Sequence, residues 1–126
     1  MRLTFIRAAA PRTGTPFMPT DAAQAKARGP ILQHSPGFPD WLAAQNCSLG
    51  LTTCQAGRLM LIGRKPDGSL RAHERLIEGC EGLYSDGQTL WASGTHMLWR
   101  FENVLHNGKQ TTSGVDRIYI PPAKAG

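Results

Sequence analysis

Short apolar runs separated by turn signals dominate the chain from about residue 46 onwards. Runs of this length, rich in β-branched and aromatic residues and bounded by Gly, Pro, Asn or Asp, are typical of strands rather than helices. Strands are predicted at residues 49–55, 58–64, 69–77, 83–85, 89–93, 96–102 and 115–120. Because short connections between consecutive strands favour antiparallel pairing, the pattern predicts an all-β fold of antiparallel meander sheets.

Turn chemistry supports these strand boundaries. Ala56-Gly57 and Asp86-Gly87 are pairs suited to tight hairpins, because glycine accepts a positive φ without steric cost. Pro66-Asp67-Gly68 adds the fixed φ of proline to the same signal. Residues 103–114 are polar and rich in Asn, Gly and Thr, which predicts a loop. Pro121-Pro122 is expected to end the last strand, with residues 123–126 as a tail.

The first part of the chain differs in composition from the rest. Residues 1–36 are dominated by Ala, Pro, Thr, Gly and Arg, and repeated prolines interrupt every potential element. We therefore expect a disordered basic tail over residues 1–36 and one β-meander domain over residues 37–122. Asp40 is predicted to cap a short helical turn at residues 41–44, which Phe38 and Trp41 would anchor to the core.

A weak internal repeat divides this domain into about two units. The Leu and Gly positions that carry it are Leu51, Leu59, Gly63 and Leu70 in one copy and Leu83, Leu90, Gly94 and Leu98 in the other. Each copy predicts a meander of three or four strands. Such units bury a sheet face only against neighbours, and about three or more are usually needed for stability. Two units therefore predict a fragment, an oligomer or a small sandwich of two packed sheets.

Several stretches resemble the start of an uncharacterised bacterial family, domain of unknown function 4915. The matching stretches are FPDWL at 38–42, SLGLTTCQAG at 48–57, EGLY at 81–84, TLW at 89–91, WRFE at 99–102 and DRIYIP at 116–121. The resemblance covers about residues 35–121 and implies a propeller-like β fold. Family members continue past the point where this chain stops, which implies a truncated member and a partial propeller. The family offers no established activity to carry over.

Composition and charge exclude several classes of function. The net charge of +5 splits into +3 over residues 1–40 and +2 over residues 41–126, so the domain is close to neutral. No basic cluster is interleaved with aromatics, so nucleic-acid binding is not predicted. No apolar run is long enough to cross a membrane. The three cysteines, without a secretory signal or a C-x-x-C motif, predict reduced thiols in a cytoplasmic protein, with no metal or cofactor.

Aromatic residues on the later strands are the candidate binding residues. Tyr84, Trp91, Trp99 and Phe101 could form a platform for a sugar or a peptide, although aromatics at alternate strand positions also serve as core. No catalytic constellation is visible. The leading hypothesis is therefore a non-enzymatic module that binds a ligand or a protein, or assembles with itself, through aromatic surface and exposed strand edges.

The alternative hypothesis is an enzyme, or the remnant of one. It would use His73, His96 or Glu102 in a cleft between the sheets. Neither histidine stands at metal-ligand spacing from a second ligand, so no metal site is predicted. Cys80 lies between Glu78 and Glu81, which would raise the pKa of its thiol and disfavour a nucleophile. A third possibility is a non-functional gene fragment.

Overall fold

The predicted all-β class is confirmed by a computed structural model that describes residues 2–7, 15–18, 33–105, 111 and 115–125. This part of the chain consists mostly of strands, with one short helix, and its sheets curl into a half-barrel. The elements are β1 Arg2–Arg7, β2 Thr15–Phe17, α1 Phe38–Gln45, β3 Cys47–Thr53, β4 Arg58–Arg64, β5 Leu70–Leu76, β6 Leu83–Ser85, β7 Thr89–Ser93, β8 Leu98–Asn103 and β9 Val115–Ala125.

The first sheet has the order β1-β3-β4-β5, and every pairing in it is antiparallel. Strands β3, β4 and β5 form the predicted meander. The turn between β3 and β4 is residues 54–57, two residues longer than the predicted Ala56-Gly57 pair, because β3 ends at Thr53; Gly57 has the expected positive φ of +61°. In the next turn the Asp67 carboxylate accepts hydrogen bonds from the backbone N–H of Ser69 at 2.9 Å and from its hydroxyl at 2.6 Å. Local side-chain bonding of this kind explains why Asp is favoured in turns.

The second sheet has the order β2-β9-β8-β7-β6. Strands β6 to β9 form a second antiparallel meander, whereas β2 adds to β9 in parallel. The predicted hairpin at Asp86-Gly87 joins β6 and β7. There the Asp86 carboxylate accepts hydrogen bonds from the N–H groups of Gln88 and Thr89, and Gly87 has φ +96°.

Strand β9 continues past Pro121-Pro122, where the sequence predicted that it would end. Arg100 pairs with Ala123 and Glu102 pairs with Ile120, so the two prolines together oppose Phe101 alone. This is a bulge, and a bulge tolerates residues that cannot donate to the ladder. The prolines therefore shift the register of the β8–β9 pair instead of ending it.

Two strands lie inside the predicted disordered tail. β1 pairs with β3 from Arg2–Thr52 to Arg7–Cys47, and β2 pairs with β9. Ile6 and Met18 are almost fully buried in the core. Burial of these apolar side chains stabilises the pairing of the two segments with strands far along the chain. Residues 8–14 and 19–32, also predicted as tail, lie outside the described residues.

The single described helix is longer than predicted, and a different residue anchors it to the core. Gly37, not Asp40, is its N-cap, and Asp40 lies in the first turn, where a carboxylate is favoured by the helix dipole. Leu42 is fully buried and anchors the helix to the first sheet, whereas Trp41 is 46% exposed. Asn46 ends the helix in the left-handed conformation. The predicted anchoring role of Trp41 therefore belongs to Leu42.

The core lies between the inner faces of the two sheets. The first sheet contributes Leu59 and Leu61, and the second contributes Leu90, Phe101 and Tyr119. Each strand alternates inward and outward side chains, as a two-sheet packing requires.

The connector from β5 to β6 joins the two sheets through close backbone contacts. Gly79, at φ +65°, lies so near Thr95 that a Cβ there would overlap the threonine hydroxyl. The carbonyl of Glu78 accepts hydrogen bonds from the Thr95 N–H at 2.8 Å and from its hydroxyl at 3.2 Å. Only glycine combines this conformation with so close an approach.

Candidate binding surfaces

The outer face of the second sheet carries an aromatic pair. Tyr84 on β6 lies directly opposite Trp91 on β7, and the two side chains point away from the core. Tyr84 is 61% exposed and Trp91 is half-buried. Cross-strand neighbours on one face lie within contact distance of each other. The sequence prediction of a binding role for these two residues is therefore compatible with their position.

Polar side chains extend the same face beyond the aromatic pair. Arg100 on β8 is the cross-strand neighbour of Trp91, and its guanidinium lies 5.8 Å from the centre of the Trp91 ring. The Arg100 Nε lies 3.1 Å from Oε1 of Glu102, whose other oxygen accepts a hydrogen bond from the Thr89 hydroxyl at 3.1 Å. We call Tyr84, Trp91, Arg100 and Glu102 the outer-face cluster.

The other two predicted binding residues lie on the inner face. Phe101 is fully buried, and Trp99 packs against the same core with its ring stacked on that of Phe101 at 5.9 Å. The guanidinium of Arg75 from β5 lies over both rings, 5.1 Å from Trp99 and 5.8 Å from Phe101. Trp99 and Phe101 thus hold the two sheets together. The four predicted residues do not form one platform, because the register places them on opposite faces.

A second exposed aromatic surface is formed by residues of β1 and α1, which were not among the predicted binding residues. Phe5 on β1 is 55% exposed and lies 5.9 Å from the ring of Trp41 on α1. Together with Gln45 and Cys47 these side chains line an open cleft of about 370 Å³. The signal in the sequence is the short apolar run of Leu3, Phe5 and Ile6, which the many prolines that follow it obscure.

The residues of the enzyme hypothesis do not share a site. His73 lies on β5 and packs edge-on against Phe17 at 4.7 Å. His96 is exposed in the β7–β8 turn, and Glu102 belongs to the outer-face cluster. No hydrogen bond joins any two of these three residues in the described part of the chain. A general acid and base need such mutual proximity.

The three cysteines are free thiols. Cys80 is fully buried, and burial raises the pKa of its thiol to about 11, with a smaller contribution from nearby Cys54. Burial, rather than the flanking carboxylates, is therefore the main reason why the thiolate form of Cys80 is disfavoured. Over residues 2–7, 15–18, 33–105, 111 and 115–125, no group of three His, Cys, Asp or Glu side chains could hold a metal ion. Within the same ranges, no helix has the length and apolar character needed to cross a membrane.

These features define an all-β domain of two meander sheets with exposed aromatic surfaces and no assembled catalytic group in its described part. The family model described as Domain of unknown function (DUF4915) matches residues 36–125, which is most of the chain. The chain belongs to this family, as its sequence motifs predicted. Searches of curated proteins and of solved structures gave no significant match.

Proposed function

We propose that this chain is a non-enzymatic binding and assembly module whose contact surface is the outer-face cluster. The observation that carries the proposal is that an exposed Tyr84 and a half-buried Trp91 lie next to Arg100 on one sheet face. Tyr, Trp and Arg are the residue types most enriched among the few that dominate the free energy of protein interfaces. A polar sheet face that needed only solvation would not require two large aromatics.

The chemistry of the cluster favours a second copy of the chain as the partner. Arg100 and Glu102 lie side by side and form an ion pair within one molecule. In a two-fold interface, if Arg100 of one copy contacts Glu102 of the other, the reverse contact also forms. The two ion pairs can therefore exchange partners across the contact. The strand edges at the ends of both sheets would extend this contact, because an end strand has backbone groups without a ladder partner.

Two further features of the proposal follow from the fold. The meanders β3–β5 and β6–β9 support a propeller-like arrangement in which each meander corresponds to one unit. The three free thiols support a reducing, cytoplasmic location. The rival enzyme hypothesis finds less support, because His73 and His96 line different clefts and Glu102 lies on the outer face with Arg100.

Size-exclusion chromatography with light scattering, over a wide range of protein concentration, tests the proposal. We expect a dimer whose dissociation constant rises at least about tenfold in Trp91→Ala and in Tyr84→Ala, since interface aromatics typically contribute more than about 1.4 kcal/mol. Val104→Ala is the matched control, because Val104 is an exposed apolar residue outside the cluster. A monomer at every concentration, or a dimer that Trp91→Ala leaves unchanged, would refute self-assembly through this face.

A further inference from the structure

Strands β1 and β6 form a seam between the two sheets. Each is the end strand of its sheet, and their Cα atoms approach within 8 Å. On β3 the Thr52 hydroxyl donates a hydrogen bond to the Glu81 carbonyl at 2.9 Å, and two residues earlier Gly50 lies against the Leu83 side chain. The chain entering β6 therefore runs antiparallel to β3. Because β1 is also antiparallel to β3, β1 and β6 run in parallel along the seam.

The seam brings two exposed aromatic residues to the same level. Thr4 on β1 pairs with Gly50, so it lies level with Leu83 on β6. The next residues, Phe5 and Tyr84, point outward and are 55% and 61% exposed. We use the name α1 cleft for the open cleft on the far side of this pair, which is lined by Phe5, Trp41, Gln45 and Cys47. The α1 cleft therefore borders the outer-face cluster.

The outer-face cluster by itself is small for a stable interface. It occupies three strands, β6 to β8, of which the longest has six residues. With about 4.8 Å between strands and about 3.3 Å per residue, this face measures about 14 by 20 Å in projection, or about 300 Å². A stable interface usually buries about 800 Å² on each partner. Adding β1 and α1 roughly doubles the width of the contact, since a helix is about 10 Å across.

We propose that Tyr84 of one copy inserts into the α1 cleft of a second copy, and that the reverse contact forms at the same time. This inference rests on the proposed self-assembly and names the surface that completes it. The cleft measures about 370 Å³, which is ample for a phenol ring. Phe5 and Trp41 provide aromatic walls, and the Gln45 amide can form a hydrogen bond with the phenol hydroxyl.

One two-fold axis satisfies this contact together with the exchange of ion pairs. Tyr84 lies level with Arg100 across the β6–β7–β8 ladder. An axis that brings Arg100 of one copy to Glu102 of the other also brings Tyr84 to the level of Glu102 in the second copy. On β1 that level is two residues past Phe5, at the position that pairs with Cys47 of the cleft. Tyr84 therefore arrives beside the cleft of the second copy.

Mixed dimers of two variants test the proposal. Tyr84→Ala removes the inserted ring and keeps the cleft, whereas Trp41→Ala removes a wall of the cleft and keeps the ring. Each variant homodimer then has two damaged contacts, but the mixed dimer retains one intact contact. We expect the dissociation constant of each homodimer to rise at least about tenfold, and the mixed dimer to bind about tenfold more tightly than either. Native mass spectrometry separates the three dimers, because the two variants differ in mass.

Two further variants control for effects on folding. Phe5→Ala removes the other aromatic wall and should behave like Trp41→Ala, although it lies on β1 and not on α1. Leu76→Ala is the matched control, since Leu76 is an exposed apolar residue on the opposite end strand of the first sheet, and it should dimerise like the parent protein.

The possible outcomes separate this inference from the proposed function. If Trp91→Ala weakens the dimer but neither cleft variant does, the insertion of Tyr84 is wrong and the outer-face contact stands. A mixed dimer no tighter than the two variant homodimers would also overturn the insertion. A protein that stays monomeric at every concentration would overturn both.

Discussion

Gly79→Ala tests the account of the connector between the sheets. At φ +65° an alanine costs about 1–2 kcal/mol relative to the right-handed region. Its Cβ would also overlap the Thr95 hydroxyl, so Thr95 must move. That movement weakens the two hydrogen bonds from Thr95 to the Glu78 carbonyl, each of which contributes about 1 kcal/mol. Reduced entropy of the unfolded chain returns about 0.4–1 kcal/mol.

The expected net loss is about 2–3 kcal/mol of unfolding free energy. Urea unfolding monitored by tryptophan fluorescence measures it, because Trp99 packs against the core. Gly37→Ala is the matched control: Gly37 has φ −84°, and a Cβ there would meet nothing within 4 Å. It should lower stability by less than about 1 kcal/mol, because alanine is less favourable than glycine at an N-cap. Equal losses in the two variants would refute the argument from backbone conformation and close approach.

Three further predictions follow from buried groups. Phe101→Ala should cost about 3–5 kcal/mol in the same unfolding assay, and a loss below about 1 kcal/mol would contradict its core position. The pKa of the Cys80 thiol rises from 9.0 to about 11 on folding. The thiol therefore contributes its full stabilisation below pH 9, and the free energy of unfolding falls as the pH rises from 9 to about 11. Cys80→Ala should make that fall smaller. Tyr119→Phe removes the 2.7 Å hydrogen bond to the Gly87 carbonyl and should cost about 1 kcal/mol, whereas Tyr84→Phe should cost nothing measurable.

Turn chemistry explains why the sequence predicts most of the strands. Gly57 and Asp86 act through their own backbone conformation and side-chain bonds, which are local properties. The strands they bound, β3, β4, β6 and β7, accordingly lie within two residues of the predicted positions at each end. Local signals sufficed for these hairpins, but not for the end of β9, where pairing with β8 carries the strand past Pro121-Pro122.

The remaining features depend on distant partners. β1 and β2 pair with strands far along the chain, and nothing in their own residues identifies those partners. Whether Trp99 and Trp91 share a face depends on the register between β7 and β8, which places Trp99 opposite the buried Ala92. One-residue register shifts exchange the two faces of a strand. Patterns along one strand therefore could not separate the exposed aromatics from the core aromatics.

The parallel pairing of β2 with β9 constrains the order in which the protein can fold on the ribosome. Thr15 pairs with Val115, which is synthesised 100 residues later, since 115 − 15 = 100. At about 5–20 residues per second, β2 waits roughly 5–20 s for its partner. The first sheet, in contrast, is complete once Leu76 has been made. From then until β9 is made, no complete second sheet covers the inner face of the first sheet, so the nascent chain exposes Leu59 and Leu61 to chaperones.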